Sequence, residues 1–590
     1  MGIGSTSAAA ADSPDESRQQ RGSLSWLTNR ELPHYPSAGR RYFYLAVVIA
    51  ASIVLWYQYY VPTAVAPLLL RQFHLSFHHY VYIIVGSNVA GVVAALFGGF
   101  TDRLGRTWVV IGGLLVVALI QLVAIPNTTT SAPFIVAVVA VGLFEGIILV
   151  ATPALVRDFT PQLGRASAMG FWTLGPVAGV LVASVLGSHT IGATSADWQR
   201  EFIISGIAGL AVFVVAVLFL RELSPRIRDQ VMHTERDRAL VELQARGLDV
   251  ESATRHPWRQ MLKADVILSA LAISVMLIIF YTASGFFTVY FDTVFHHGTT
   301  YFTLPQANGI DTWMWAVDCV GLIVFGLLSD LVRVRKPFMV VGGVGAMVMM
   351  VLLISHTGHP TSSYYTMVWV AAGVFLFTAM AYATWMASYT ETVEARNPAL
   401  VATGLAVWGG MLRLTVAVSL LILPVMVSSA SKVVDNQQYQ QFVPKALAIE
   451  HQYGPLIAIV QKNPALFQTL SSYASPSDIP PALVAKGIAA SGGGKEGLAN
   501  LLKINGIKPE LAFLQKYQTH LLALQQGADA SPAEWQHWFW VCFGGIAVFI
   551  PLVFVMKGRW DPRRAREDER EHEAHVAAEL ERLRGTGTPS

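Results

Sequence analysis

Gly98-Gly99-Phe100-Thr101-Asp102-Arg103-Leu104-Gly105-Arg106-Thr107 lies between two oily stretches, and its residue types are those of a tight turn at a membrane surface. Glycine at a helix end permits close packing, and an aspartate can sit against the positive N-terminus of a neighbouring helix. A pair of arginines can bridge to carboxylates or carbonyls at the polar rim. A degenerate copy stands further along as Gly326-Leu327-Leu328-Ser329-Asp330-Leu331-Val332-Arg333-Val334-Arg335-Lys336, in which the aspartate and the basic cluster survive.

Outward from these two turns the chain is too apolar for soluble domains. Of its 590 residues 53% are hydrophobic and 13% charged, so most of the chain belongs in lipid. Apolar runs of about twenty residues, the length a helix needs to cross the hydrocarbon, are expected near 42–63, 79–100, 108–125, 133–156, 166–187, 201–220, 264–290, 307–329, 337–355, 364–388, 399–427 and 536–556. This predicts an all-α membrane protein of twelve transmembrane helices. The net charge of +3 gives no electrostatic case for nucleic acid. Cys319 and Cys542 both fall in apolar runs, which offers neither a disulfide framework nor a thiolate metal site.

The expected organisation is a disordered N-terminal segment (1–41), a six-helix half (42–221), a linker (222–263) and helices seven to eleven of a second half (264–428). A small helical extracytoplasmic insertion (429–535) follows, then the twelfth helix (536–557) and a charged tail (558–590). Ser491-Gly492-Gly493-Gly494 reads as a flexible break within the insertion. The first forty residues lack an apolar core, so the first transmembrane helix is expected to act as the targeting signal. With the N-terminus inside, Arg40, Arg41, Arg103, Arg106, Arg157, Arg165, Arg333, Arg335 and Lys336 all fall on the cytoplasmic side. Both termini are then cytoplasmic in a multi-pass protein of the cytoplasmic membrane.

The turn at 98–107 matches the G-x-x-x-D-R-x-G-R signature of the major facilitator superfamily, which the chain resembles over about 42–427 and 536–556. The resemblance implies alternating access around a site between two six-helix halves. It also implies a conformational latch at Gly98, Asp102, Arg103, Gly105 and Arg106, with Asp330 and Arg333 in the second copy. Gly175-Pro176-Val177-Ala178-Gly179 is similar to the G-P-x-x-G element that the family associates with antiporters, and it reads equally as a packing seam of small residues. The resemblance breaks at Gly142-Leu143-Phe144-Glu145-Gly146, where the R-x-x-Q-G stretch of drug/proton antiporters would lie. The membrane arginine is absent there, and Glu145 holds the glutamine position.

Ionisable side chains deep in a span are costly and mark function by default. Counting about 1.5 Å per residue from the span ends puts Glu145, Asp318 and Arg413 near the bilayer centre. Arg413 keeps its proton and needs an anion. Asp318 and Arg413 are expected to share the central cavity, with an anionic substrate competing for Arg413 while a carboxylate exchanges a proton. A permanent ion pair between helices is the other reading. Glu145 is either a proton carrier or a neutral, hydrogen-bonded carboxyl. Tyr57, Gln58, Tyr281 and Trp408 are the candidate substrate contacts, and Tyr60, Tyr290 and Trp313 are assigned to the interfacial aromatic belt.

No phosphate-cradling loop, hydrolase motif or convincing metal ligand set accompanies these residues; His74, His78 and His79 have neither a carboxylate nor a cysteine beside them. The chain therefore reads as a transporter rather than an enzyme, without cofactor, and driven by an ion gradient. The expected partners are a small organic solute, protons and the lipid bilayer. Efflux of lipophilic compounds, or a receptor or scaffold whose 429–535 segment docks an external partner, are the alternatives.

Overall fold

The computed structural model describes residues 30–32, 34–96, 104–160, 172–192, 197–228, 257–297, 300–397, 400–473, 479–556 and 560–564, with scattered positions up to 578. Gly98, Asp102 and Arg103 of the expected latch lie outside the described residues, as do 1–29 and most of the linker and tail.

The first half contains α1 (Ala38–Ala64), α2 (Phe77–Leu96), α3 (Arg106–Leu119), α4 (Ser131–Phe159), α5 (Gly175–Thr190) and α6 (Trp198–Phe219). The second contains α7 (Ala264–Val294, broken at Leu277), α8 (Leu304–Val332), α9 (Lys336–Thr357), α10 (Tyr364–Arg396) and α11 (Val401–Met426). The insertion adds α12 (Ser429–Asn436), α13 (Val443–Lys462), α14 (Pro464–Ser471), α15 (Pro481–Ala490) and α16 (Gly494–Gly506), and α17 (Lys508–Val555) ends the fold. Among the described residues eleven helices are long and apolar enough to cross a membrane, and α5, at 16 residues, is shorter.

Glycine seams set the helix spacing. A Cβ on Gly142 would lie 2.2 Å from Ser87 Oγ, and one on Gly146 2.1 Å from Gly91 O, so α4 crosses α2 at backbone contact. Gly175 and Gly179 likewise admit Ser52 and Trp56 of α1, which gives the Gly-Pro element a packing role in this fold. In the second half Gly342 presses on α10, and Gly545 of α17 meets Val275 O of α7.

One end of the bundle carries the insertion, and there the halves meet. Thr288 Oγ1 donates to Thr63 O (2.6 Å) and Asn308 Nδ2 to Ala64 O (2.9 Å). Phe286 packs against Phe77 and Tyr80, and Arg71 stands 4.0 Å from Asp292. Asn308 fits because position 187 is glycine, where a Cβ would stand 2.8 Å from Asn308 Oδ1. Helix α12 bridges the halves, since Ser431 Oγ accepts from Phe77 N–H at 2.6 Å.

Two expectations about the insertion change. The helix at its C-terminal side does not stop before the last span. α17 runs unbroken for 48 residues across the expected 535/536 boundary, because Pro532 lies where the helix already has partners. Glu534 accepts from Ser429 N–H (2.8 Å) and from Ser429 Oγ (2.6 Å), pinning α17 to α12. Gly492, Gly493 and Gly494 are not an open linker: all three have positive φ, and Gly493 N–H donates to Ile488 O at 2.9 Å, a left-handed turn between α15 and α16.

Candidate functional site

The opposite end of the bundle holds the polar cluster around the first turn motif. Arg106 is nearly buried and places Nη1 2.9 Å from each carboxylate oxygen of Asp158 on α4. Its backbone N–H donates to Glu222 Oε2 at 2.9 Å. Arg228 completes the cluster, 3.7 Å from Asp158 and 3.5 Å from Glu222. Burial raises the Glu222 carboxyl above its ordinary value, while Arg228 and the N–H groups of Arg106 and Thr107 pull it back. A two-residue strand β1 (Glu31–Leu32) runs parallel to β2 (Glu222–Leu223), so the segment before α1 is tied to the segment after α6.

Gly105 enters α3 with φ +87°, and a Cβ there would lie 2.8 Å from Glu222 Oε1. Gly105→Ala should therefore destabilise the protein by about 1–3 kcal/mol through backbone strain alone, read as a lower melting temperature in detergent; an unchanged melting curve refutes the role given to this glycine.

The second turn is built on the same plan with one substitution of roles. Asp330 pairs with Arg335 at 2.6 Å rather than with Arg333, and Arg335 also reaches Glu391 on α10 (3.2 Å) and Ser329 Oγ (2.7 Å). Arg333 caps α8 in the left-handed conformation, φ +61°, which turns its side chain away from the position that a helical residue would hold. Each half thus ties the start of its third helix to the end of its fourth.

Between the halves, Glu145 of α4 is buried beside the α2 seam, with Oε2 3.3 Å from where a Cβ on Gly91 would lie and Oε1 without a hydrogen bond. Arg413 of α11 acts electrostatically on Glu145 and on Tyr281. Arg413 itself is exposed, donates to Gly409 O at 3.4 Å, and among the described residues has no carboxylate within ion-pair distance. Tyr281 sits one turn past the Leu277 break in α7. Trp408 packs on Trp385 with centroids 5.6 Å apart and leaves its indole N–H unpartnered.

Among the described residues Asp318 and Arg413 form no ion pair, which sets aside the permanent-pair reading. Asp318 is buried on α8 within electrostatic reach of Tyr382, whereas Arg413 acts electrostatically on Glu145. Equal depth in the membrane does not fix which side of its helix a residue occupies, and Asp318 is buried while Arg413 is exposed. Tyr57 and Gln58 are also displaced from their expected role. Gln58 is fully buried within the first half; its Nε2 donates to Ser205 O (3.2 Å), and its backbone carbonyl accepts from Gln121 Nε2 (2.7 Å). Tyr57 is buried towards Glu201 of α6.

The faces of α1 and α8 gather further polar and aromatic residues, of which Asn308 and Asp311 are new to the candidate site. Trp56 and Tyr60, one turn apart, stack at 5.7 Å, and Tyr59 meets Trp56 edge-on. Tyr60, expected in the interfacial belt, is buried in electrostatic reach of Tyr281 and Glu145. Tyr290 likewise leaves the belt for the core, bonded to Thr357 at 2.7 Å, whereas Trp313 stays exposed. On α8, Asn308, Asp311, Trp315 and Asp318 share one face at helical spacing; Asp311 is buried with Oδ1 unpartnered. The signal available for these was the 3.6-residue period, read outward from Asn308 and Trp56.

A family model described as Major Facilitator Superfamily matches residues 47–431. A hexuronate transporter of Escherichia coli (strain K12) is 26% identical over 203 residues, 34% of this chain and 45% of that one, so the match spans less than half of the relative's length. The chain is also similar in fold to a solved bacterial homolog of the human lysosomal transporter Spinster in an inward-facing, occupied conformation, with a TM-score of 0.56 and 15% identity over 89% of this chain and 100% of that one. A D-xylose-proton symporter structure aligns with a TM-score of 0.51 and 15% identity over 66% of this chain and 90% of that one.

Proposed function

The chain belongs to the Major Facilitator Superfamily, and on that premise we propose that it moves a small organic anion or metabolite across the cytoplasmic membrane by proton-coupled alternating access. The observation that carries this reading is Arg413: a guanidinium exposed beside a buried Glu145 whose Oε1 has no hydrogen bond, at the seam between two halves. An arginine presents a planar fork of donors matched to a carboxylate, so an anionic solute that reaches it gains charge-assisted, bidentate hydrogen bonds. That the partly matching relative is named for hexuronate, a sugar carboxylate, agrees with this choice.

In this reading the insertion end faces outward and both termini lie in the cytoplasm. The outer gate is shut by the Asn308, Thr288 and Phe286 contacts. Trp56, Tyr60, Tyr281 and Trp408 form the walls, Arg413 takes the anion, and Glu145 exchanges the proton, with Asp318 and Asp311 as further carboxylates on α8. The Arg106–Asp158 and Arg335–Asp330/Glu391 clusters hold each half rigid while it rocks.

Arg413→Ala tests the anion site. Reconstituted in liposomes, the variant should take up carboxylate solutes at least about tenfold more slowly, since a hydrogen-bonded charge contributes roughly 1.5–3 kcal/mol. Transport of lipophilic cations with carboxylates ignored, in both proteins, overturns the anion reading in favour of lipophile efflux, for which the Trp56, Tyr60 and Trp408 rings would form the walls.

A further inference from the structure

A cavity of the described residues lies away from the seam between the halves. It lies within the insertion, encloses about 1070 Å³, and is walled by α13, α16 and the outer part of α17. Its floor is apolar and buried, made of Ile457, Phe467, Leu470, Ile504 and Leu524. Four leucines on its walls, Leu447, Leu498, Leu502 and Leu522, remain 45–64% exposed, although the helices that carry them could have turned polar residues outward at those positions. Contiguous exposed apolar surface of this kind marks a binding site, and each leucine covered contributes about 25 cal/mol for every Å² withdrawn from water.

The rim identifies the class of occupant. Gln461, Gln468, Asn505, Gln515 and Gln518 line it with exposed amides, which both donate and accept hydrogen bonds. Its charges, Glu450, Asp529 and Lys508, leave an excess of one negative charge and no cluster of cations to hold an anionic head. The space is at the upper end of ordinary small-molecule sites, about 300–1,000 Å³, and it is a concave chamber between helices rather than a flat face suited to a second protein.

We propose that the insertion is a binding chamber for a single-chain amphiphile with an uncharged, hydrogen-bonding headgroup, its aliphatic chain on the leucine floor and its head among the rim amides. One helix, α17, forms a chamber wall at its outer end and a membrane span at the other. An amphiphile leaving the bilayer therefore has a path of unbroken helix to follow. This proposal does not depend on the nature of the solute at Arg413.

The test uses the full chain in lipid nanodiscs and a photoactivatable long-chain monoacylglycerol, with labelled peptides mapped by mass spectrometry. Saturable labelling should fall on residues 443–529 and be competed by unlabelled mono-oleoylglycerol. Leu502→Asp, at an exposed wall position, and Ala446→Trp, which fills the chamber with apolar volume, should each weaken labelling about tenfold or more. Arg413→Ala should leave it unchanged, which separates failure here from failure of the central site. Four results overturn the proposal: no saturable label in the insertion; labelling indifferent to Ala446→Trp, as for a merely sticky surface; tighter competition by oleate than by mono-oleoylglycerol; or a dimer that Leu502→Asp converts to monomer, which would show a second copy covering the leucines.

Discussion

Glu145→Gln should abolish accumulation of solute against its gradient while leaving counterflow exchange at nearly its original rate. Glutamine keeps the size and hydrogen-bonding reach of the side chain but carries no exchangeable charge, so the step lost is the one that couples proton movement to the return of the empty carrier. The drop in proton-driven uptake should be about 100-fold or more, within the roughly 10²–10⁴ range for removing a positioned proton-transfer group. Proteoliposomes with an imposed pH gradient, compared with preloaded liposomes without one, separate the two modes. Driven uptake that survives in Glu145→Gln but fails in Asp318→Asn or Asp311→Asn would move the coupling to α8, where both carboxylates are buried without a cation among the described residues.

Arg106→Ala should be the most damaging substitution for stability. Among the described residues Asp158 would keep Arg228, at 3.7 Å, as its ion-pair partner, and breaking a buried pair from one side costs about 3–5 kcal/mol because charge is left poorly compensated. The double variant Arg106→Met/Asp158→Leu removes both charges and should recover much of the loss, since apolar replacement of a whole buried pair is close to neutral. Thermal unfolding in detergent reads both. A double variant no more stable than Arg106→Ala would sink the ion-pair account and assign the effect to lost packing of the arginine stem.

The spans were legible because a run of about twenty apolar residues has few other uses, and the family because the turn at 98–107 combines glycine, acid and base at fixed spacing. The Arg106 cluster was legible as a rim device, but its partners Asp158, Glu222 and Arg228 are distant in sequence and nothing local announces them. Depth along a helix can be counted from its ends; azimuth cannot, because it depends on neighbours. Azimuth is what separates the buried Gln58 from the stacked Trp56 and Tyr60 on one helix, and what brings Arg413 within electrostatic reach of Glu145. Asp311 escaped notice because α8 begins at Leu304, placing the residue two turns deep where the hydropathy pattern suggested a shallow position.

The unbroken α17 has a mechanical meaning. From Glu534, clamped to Ser428 and Ser429 near the membrane, the helix extends outward to Lys508, a rigid arm of about 40 Å. Glu534 is its fulcrum. If α17 tilts by about 10° as its half rocks, the tip sweeps roughly 7 Å, while α12 stays hooked to the other half through Phe77 and Ser431. A tilt of that size moves the tip far enough to widen or pinch the chamber that the arm walls.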